Sequence, residues 1–212
     1  DRYDKDEVDR HLVLEQPLPL TLMPSVAALG AIQRRLVDEF PWAGDVIAII
    51  FGELSGQAAL GVRVLGMSPT LLVGLPGSGK SRLARRVADE LGMPRLDLPL
   101  GGTSDTKVLG GTSRGWASGK PSDLATLMAT RRSASAVVLL DELDKAIDYQ
   151  REGSGLQSYL LALLEPETAS RHTDVFLKTT CDYSGVLWLA TANRLTPIAE
   201  PLLSRMRVLK LD

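Results

Sequence analysis

Leu71-Leu72-Val73-Gly74-Leu75-Pro76-Gly77-Ser78-Gly79-Lys80-Ser81 is the stretch that decides how this chain folds. Its three leading apolar residues read as a short buried strand, and the run from Lys80 to Leu91 carries helical periodicity. Between them lies G-x-x-x-x-G-K-S, Gly74 to Ser81, a phosphate-binding pattern. Each residue type has a reason. Glycines let the backbone curl until its N–H groups face one centre, and the positive end of the following helix faces the same centre. Lys80 supplies a point charge for β- and γ-phosphates, and Ser81 offers a hydroxyl to magnesium. An isolated match also describes a Gly-rich turn; the strand before and the helix after supply the context that the phosphate reading requires. Gly74, Leu75, Pro76, Gly77, Ser78, Gly79, Lys80, Ser81 and Arg82 are therefore the expected nucleotide contacts.

Short apolar runs alternate with helical stretches on from this loop. Strands are expected at Leu71–Val73, Leu96–Leu100, Val137–Leu140, Val186–Ala190 and Val208–Leu211. Helices are expected from Lys80 to Leu91, Ser122 to Arg132, Leu156 to Leu164 and Pro197 to Ser204. This alternation implies a parallel sheet with helices on both faces. Before the loop, Ser25 can cap a helix that ends ahead of Pro41, and Asp45–Leu60 reads as a second helix. Residues 1–20, charged and then Pro-rich, read as a linker or arm. Residues 21–69 form an N-terminal helical part, and residues 70–212 the phosphate-loop core.

Val137–Leu140 runs straight into Asp141 and Glu142. Loops at the C-terminal edge of a parallel sheet carry the ligand site. Asp141 is expected to hold the magnesium, directly or through water, and Glu142 to polarise an attacking water as general base. Alone, such a strand end also describes a helix cap; downstream of a phosphate loop the two parts belong to one site. Asp144 and Lys145 read as salt-bridge or structural residues.

The 212 residues are 44% hydrophobic and 24% charged, with a net charge of −2, an ordinary balance for a globular domain with a sizeable core. The acidic balance argues against a dedicated nucleic-acid surface. Arg82, Arg85, Arg86, Arg131 and Arg132 are the residues that would make one, and read more simply as solvated helix faces. The single cysteine, Cys181, excludes an internal disulfide. His11 and His172 are the only histidines, too few for a histidine metal site, and they read as surface residues. No apolar run reaches membrane-spanning length. The cysteine usage suits a cytoplasmic location. A start without Met and an end on a strand read as a piece of a longer protein.

Further segments extend the set: Leu100-Gly101-Gly102, Leu163-Leu164-Glu165-Pro166-Glu167, Ala190-Thr191-Ala192-Asn193 and Pro201-Leu202-Leu203-Ser204-Arg205-Met206. In this order and spacing, residues 71–212 resemble an AAA+ module, and within that class the ATPase module of Lon-type proteases. The resemblance implies the P-loop NTPase fold of the AAA+ large subdomain, without the helical lid and the peptidase that follow it in the family. It implies ATP and magnesium as ligands, a homo-oligomeric ring, and unfolded polypeptide as substrate. Asn193 matches the sensor that positions the attacking water, against the plainer reading of a strand-end cap. Arg205 matches the arginine finger that reaches a neighbouring subunit's γ-phosphate, against that of a surface salt bridge; Arg207 competes for the role. Trp116 falls where the family has the aromatic of its substrate-gripping pore loop, against that of a tryptophan packing its loop down. Ala117 is smaller than the residue the family places there. A nucleic-acid-directed ATPase and a nucleotide-gated scaffold with little turnover are the alternative functions.

Overall fold

The computed structural model describes residues 2–101, 107–114, 116, 119–146 and 155–211. The N-terminal part holds helices α1 (Arg2–His11), α2 (Val26–Glu39) and α3 (Gly44–Ala59). Then follow β1 (Thr70–Gly74), α4 (Lys80–Glu90), β2 (Arg95–Pro99), α5 (Lys107–Gly110), α6 (Asp123–Arg131) and β3 (Ala136–Asp141). The chain continues through α7 (Leu156–Leu164), α8 (Pro166–Ala169), β4 (His172–Asp174), β5 (Thr179–Cys181), β6 (Val186–Ala192), α9 (Glu200–Leu203) and β7 (Arg207–Leu211).

Five strands form one sheet in the order β2-β3-β6-β1-β7, and every pairing is parallel. Successive strand residues point to opposite faces, so the central strands β3, β6 and β1 feed two cores. Leu72, Val137, Leu139, Leu187 and Leu189 face the core closed by α2, α3 and α4. Leu71, Val73, Val138, Leu140 and Trp188 face the core closed by α6, α7 and α9. Burial on both faces explains why β3 and β6 are nearly continuous apolar runs. The expected α/β class, the sheet and its five strands are all present.

Local signals set the helix ends. Ser25 caps α2 by accepting from Ala28 N at 3.2 Å, and Ser122 caps α6 by accepting from Ala125 N at 3.1 Å. The expected helix over Pro197–Ser204 is shorter, because Pro201 sits in the first turn of α9, where its missing N–H and fixed φ suit a helix start.

Residues 1–20, read as a linker or arm, are helical from Arg2 to Glu15 and lie against the body. His11, read as a surface residue, is 5% exposed, with Nε2 3.1 Å from Thr126 Oγ1. Ala134 N donates to Pro19 O at 2.9 Å, continuing the attachment. The antiparallel hairpin β4–β5 was not expected. Its three-residue strands are too short to show alternation. No helix among the described residues is long and apolar enough to cross a membrane.

Candidate functional site

Three neighbouring strands, β3, β6 and β1, end at one edge of the sheet. β1 delivers the loop at Gly74, β3 delivers Asp141 and Glu142, and β6 delivers Thr191 to Asn193. Together they line a cleft of about 510 Å³ whose walls include Gly77, Gly79, Lys80, Glu142 and Asn193.

The loop curls because Gly77 and Gly79 take φ of +81° and +83°, a region that costs glycine nothing. Outside the loop, the Trp42 indole N–H donates to Ser78 O at 3.2 Å, with its ring edge-on to Phe40. Lys80 opens α4 and is buried. Its ammonium donates to Gly74 O at 2.9 Å, Leu75 O at 2.8 Å and Asn193 Oδ1 at 3.1 Å. Burial pushes the Lys80 pKa below the ordinary lysine value, and the carboxylates of Asp144, Asp141 and Glu142 push back. These oxygens occupy the donor directions that phosphate oxygens would take.

Asp141 is held from three sides. Ser81 donates to Oδ1 at 2.5 Å and Thr191 to the same atom at 2.6 Å, while Arg85 reaches Oδ2 at 3.2 Å. A serine hydroxyl beside a carboxylate is a hard-oxygen donor set, suited to magnesium. Glu142 follows in a left-handed conformation, φ 61°, uncommon for a non-glycine residue and frequent at functional sites. Its amide donates to Thr191 Oγ1 at 3.0 Å, and its carboxylate pairs with Lys145 Nζ at 2.6 Å. Asp144 is buried.

Lys80, Ser81, Asp141, Glu142 and Asn193 thus lie together at this edge of the sheet. Arg82 lies at the rim with its guanidinium on Glu39 at 2.7 Å. Arg86 pairs with Glu39 and Glu90, so the three α4 arginines face carboxylates. Leu75 stands exposed on the loop.

Arg205 and Trp116 lie outside the cleft lining. Arg205 pairs with Glu165 through Nε and donates from Nη1 to Pro201 O at 2.9 Å. Arg207 instead ties β7 inward, reaching Glu53 Oε2 at 2.6 Å and Thr70 Oγ1 at 3.1 Å. Trp116 is 72% exposed; its neighbours Gly115, Ala117 and Ser118, like Gly102 of the Leu100–Gly102 segment, lie outside the described residues.

Sequence reading missed Thr191 and Arg85 as parts of this site. Thr191 sat within a quoted segment but carried no signal of its own. Arg85 was visible only as one of several helix charges.

Residues 70–211 match the family model described as the ATPase family associated with various cellular activities. The chain is 38% identical over 218 residues to the Lon protease of Desulforamulus reducens, with 91% of this chain and 26% of that protein covered. It is 38% identical over 145 residues to the mitochondrial Lon protease homolog of Phaeodactylum tricornutum, covering 66% of this chain and 16% of that protein. A closed-state reconstruction of Hsp104 with ATPγS and FITC casein shares the fold, with a TM-score of 0.67 and 20% identity over 86% of this chain and 35% of that one. The chain spans about a quarter or less of the length of these Lon relatives.

Proposed function

This chain belongs to the ATPase family associated with various cellular activities, and on that premise we propose that it binds ATP with magnesium at the β1, β3 and β6 ends, hydrolyses it, and uses the energy within a homo-oligomeric ring to unfold or remodel polypeptide. The observation that carries the hydrolytic part is the convergence of Lys80 Nζ on Asn193 Oδ1 at 3.1 Å and of Ser81 Oγ on Asp141 Oδ1 at 2.5 Å.

Each residue then has a task. The loop N–H groups from Gly77 to Ser81 cradle the phosphates. Lys80 exchanges its carbonyl partners for phosphate oxygens and offsets their charge. Ser81 and Asp141 would hold the magnesium, which would neutralise charge on the β- and γ-phosphates. Glu142 accepts the proton of the attacking water, and Asn193 orients that water through an amide that both donates and accepts. For this, Glu142 must leave Lys145. To Arg205, at the surface, we assign the γ-phosphate of an adjacent subunit, because its planar fork stays charged and matches phosphate oxygens.

Lon-type relatives support a polypeptide substrate, and Trp116 is the residue we assign to gripping it, because a rigid exposed aromatic on a loop holds apolar chain at low entropic cost. The pairing of Arg82, Arg85 and Arg86 with carboxylates weighs against a nucleic-acid face. The test is ATP hydrolysis by the full-length parent chain with unfolded protein and, separately, with duplex DNA. Stimulation by the unfolded protein alone is expected. Stimulation by DNA alone would replace the polypeptide reading.

A further inference from the structure

Outside the nucleotide cleft, an arginine fork holds the loop that carries Trp116. Arg114 donates from Nε to Phe176 O at 2.6 Å and from Nη2 to Leu177 O at 3.2 Å. Its guanidinium carbon stands 5.2 Å from the centre of the Phe176 ring. Two consecutive carbonyls and one ring face are thus engaged by a single side chain. The planar fork offers two N–H groups in fixed geometry and a flat face at once, a combination that a compact ammonium on a flexible stem lacks.

The surface it grips is itself fixed. Phe176 and Leu177 belong to the turn between β4 and β5. Asp174, fully buried, accepts from Phe176 N and Leu177 N at 2.9 Å each and from Ser122 N at 2.8 Å. One carboxylate therefore sets the turn and joins it to the residue that caps α6. Above it, the base of the Trp116 loop is closed where Thr112 N donates to Lys120 O at 2.8 Å. Trp116 stands on this closed loop and is 72% exposed. An indole this exposed gains by folding down onto apolar surface unless its loop is braced.

We propose that Arg114 is a positioning residue for Trp116: it clamps the loop to the β4–β5 turn, so that the indole is presented outward to an extended polypeptide and the load on it enters the hairpin. The inference rests on the reading of Trp116 as the gripping residue. Preorganisation of this kind lowers the ordering cost of binding and leaves the nucleotide chemistry untouched.

The test uses the full-length parent protein labelled with 5-fluorotryptophan, with carboxymethylated α-lactalbumin as the unfolded probe. Trp116→Ala, measured alone, decides the gripping reading; it should abolish stimulation and keep basal hydrolysis. Arg114→Ala should keep basal hydrolysis, raise the KM for the probe by roughly tenfold, and narrow the Trp116 ¹⁹F resonance without moving those of Trp42 and Trp188. Arg114→Lys, which keeps the charge, should not rescue. If Trp116→Ala abolishes stimulation while both Arg114 variants keep the wild-type KM and linewidth, the brace is overturned. If the Arg114 variants lose basal and stimulated hydrolysis together, Arg114 is a folding residue and the inference is also overturned. If Trp116→Ala leaves stimulation intact, the gripping reading falls and takes the brace with it.

Discussion

The hydroxyl of Thr191 donates to Asp141 Oδ1 at 2.6 Å and, through the same oxygen, accepts the amide of the adjacent Glu142 at 3.0 Å. One buried side chain on β6 therefore orients both acidic residues at the end of β3. Thr191→Val keeps the shape but leaves a part-buried amide without its acceptor, a loss of about 1 kcal/mol. The magnesium concentration for half-maximal hydrolysis should rise by roughly 10- to 100-fold, as for other groups that orient metal ligands. Thr191→Ser should behave like the wild type. A magnesium titration of both variants checks this, and equal values for Val and wild type would remove Thr191 from the site.

Lys145 sits 2.6 Å from Glu142 Oε1, and this partner raises the lysine pKa above its ordinary value. The proposed base is thus engaged before it can meet water. Lys145→Met should raise basal hydrolysis by roughly two- to fivefold, the scale of a weak exposed pair, and should shrink the ratio of stimulated to basal rate. A fall in the basal rate would instead make Lys145 an orienting partner of Glu142.

Arg205 and Arg207 separate by their surroundings. Arg207 is tied to Glu53 and Thr70, so Arg207→Ala should lower the melting temperature. Arg205→Ala should lower kcat by roughly 10²- to 10³-fold, the scale of one lost donor to transition-state charge, with little change in melting temperature. If the arginine serves a neighbour, rings mixed from Arg205→Ala and Glu142→Gln subunits should regain activity, because some boundaries combine an intact base with an intact finger. Mixed rings no more active than either parent would place Arg205 within its own subunit's chemistry.

His172 is stacked on Tyr183, and its Nε2 lies 2.8 Å from the Tyr159 hydroxyl. Burial lowers its pKa, and the buried Asp174 carboxylate partly opposes that shift; Cys181 and the phenols of Tyr159 and Tyr183, all with raised pKa, complete its surroundings. In the window below the ordinary histidine value of about 6.5, the unfolded chain binds the proton more readily than the folded one. Stability therefore falls as pH drops through that window toward the folded pKa. Urea midpoints between pH 7 and pH 5 should show this loss, and His172→Gln should flatten it. An unchanged slope in the variant would assign the loss to other groups.

Legibility in the sequence followed the range of the interactions. The Gly74–Ser81 loop and the Asp141-Glu142 strand end are local patterns, so residue order alone located them. Thr191 beside Asp141 needs the knowledge that β3 and β6 are neighbours in register, with Leu140 opposite Ala190. No local pattern carries that. Arg85 read as one of several helix charges, because its partner Asp141 lies 56 residues away. His11 read as a surface residue for the same reason: the Thr126 hydroxyl that accounts for its burial is 115 residues downstream. Trp116 was legible as a residue worth attention, but its anchor was not, since Arg114 meets a turn between strands too short to announce themselves.

The most direct test of the account is single-turnover ATP hydrolysis by the full-length parent chain carrying Glu142→Gln, with ATP affinity measured in parallel. The rate should fall by roughly 10²- to 10⁴-fold, the range for loss of a positioned base, with ATP affinity kept within about threefold because Lys80, Ser81 and Asp141 still hold the nucleotide. An unreduced rate at normal affinity would contradict the assignment of Glu142, and with it the proposed hydrolytic site.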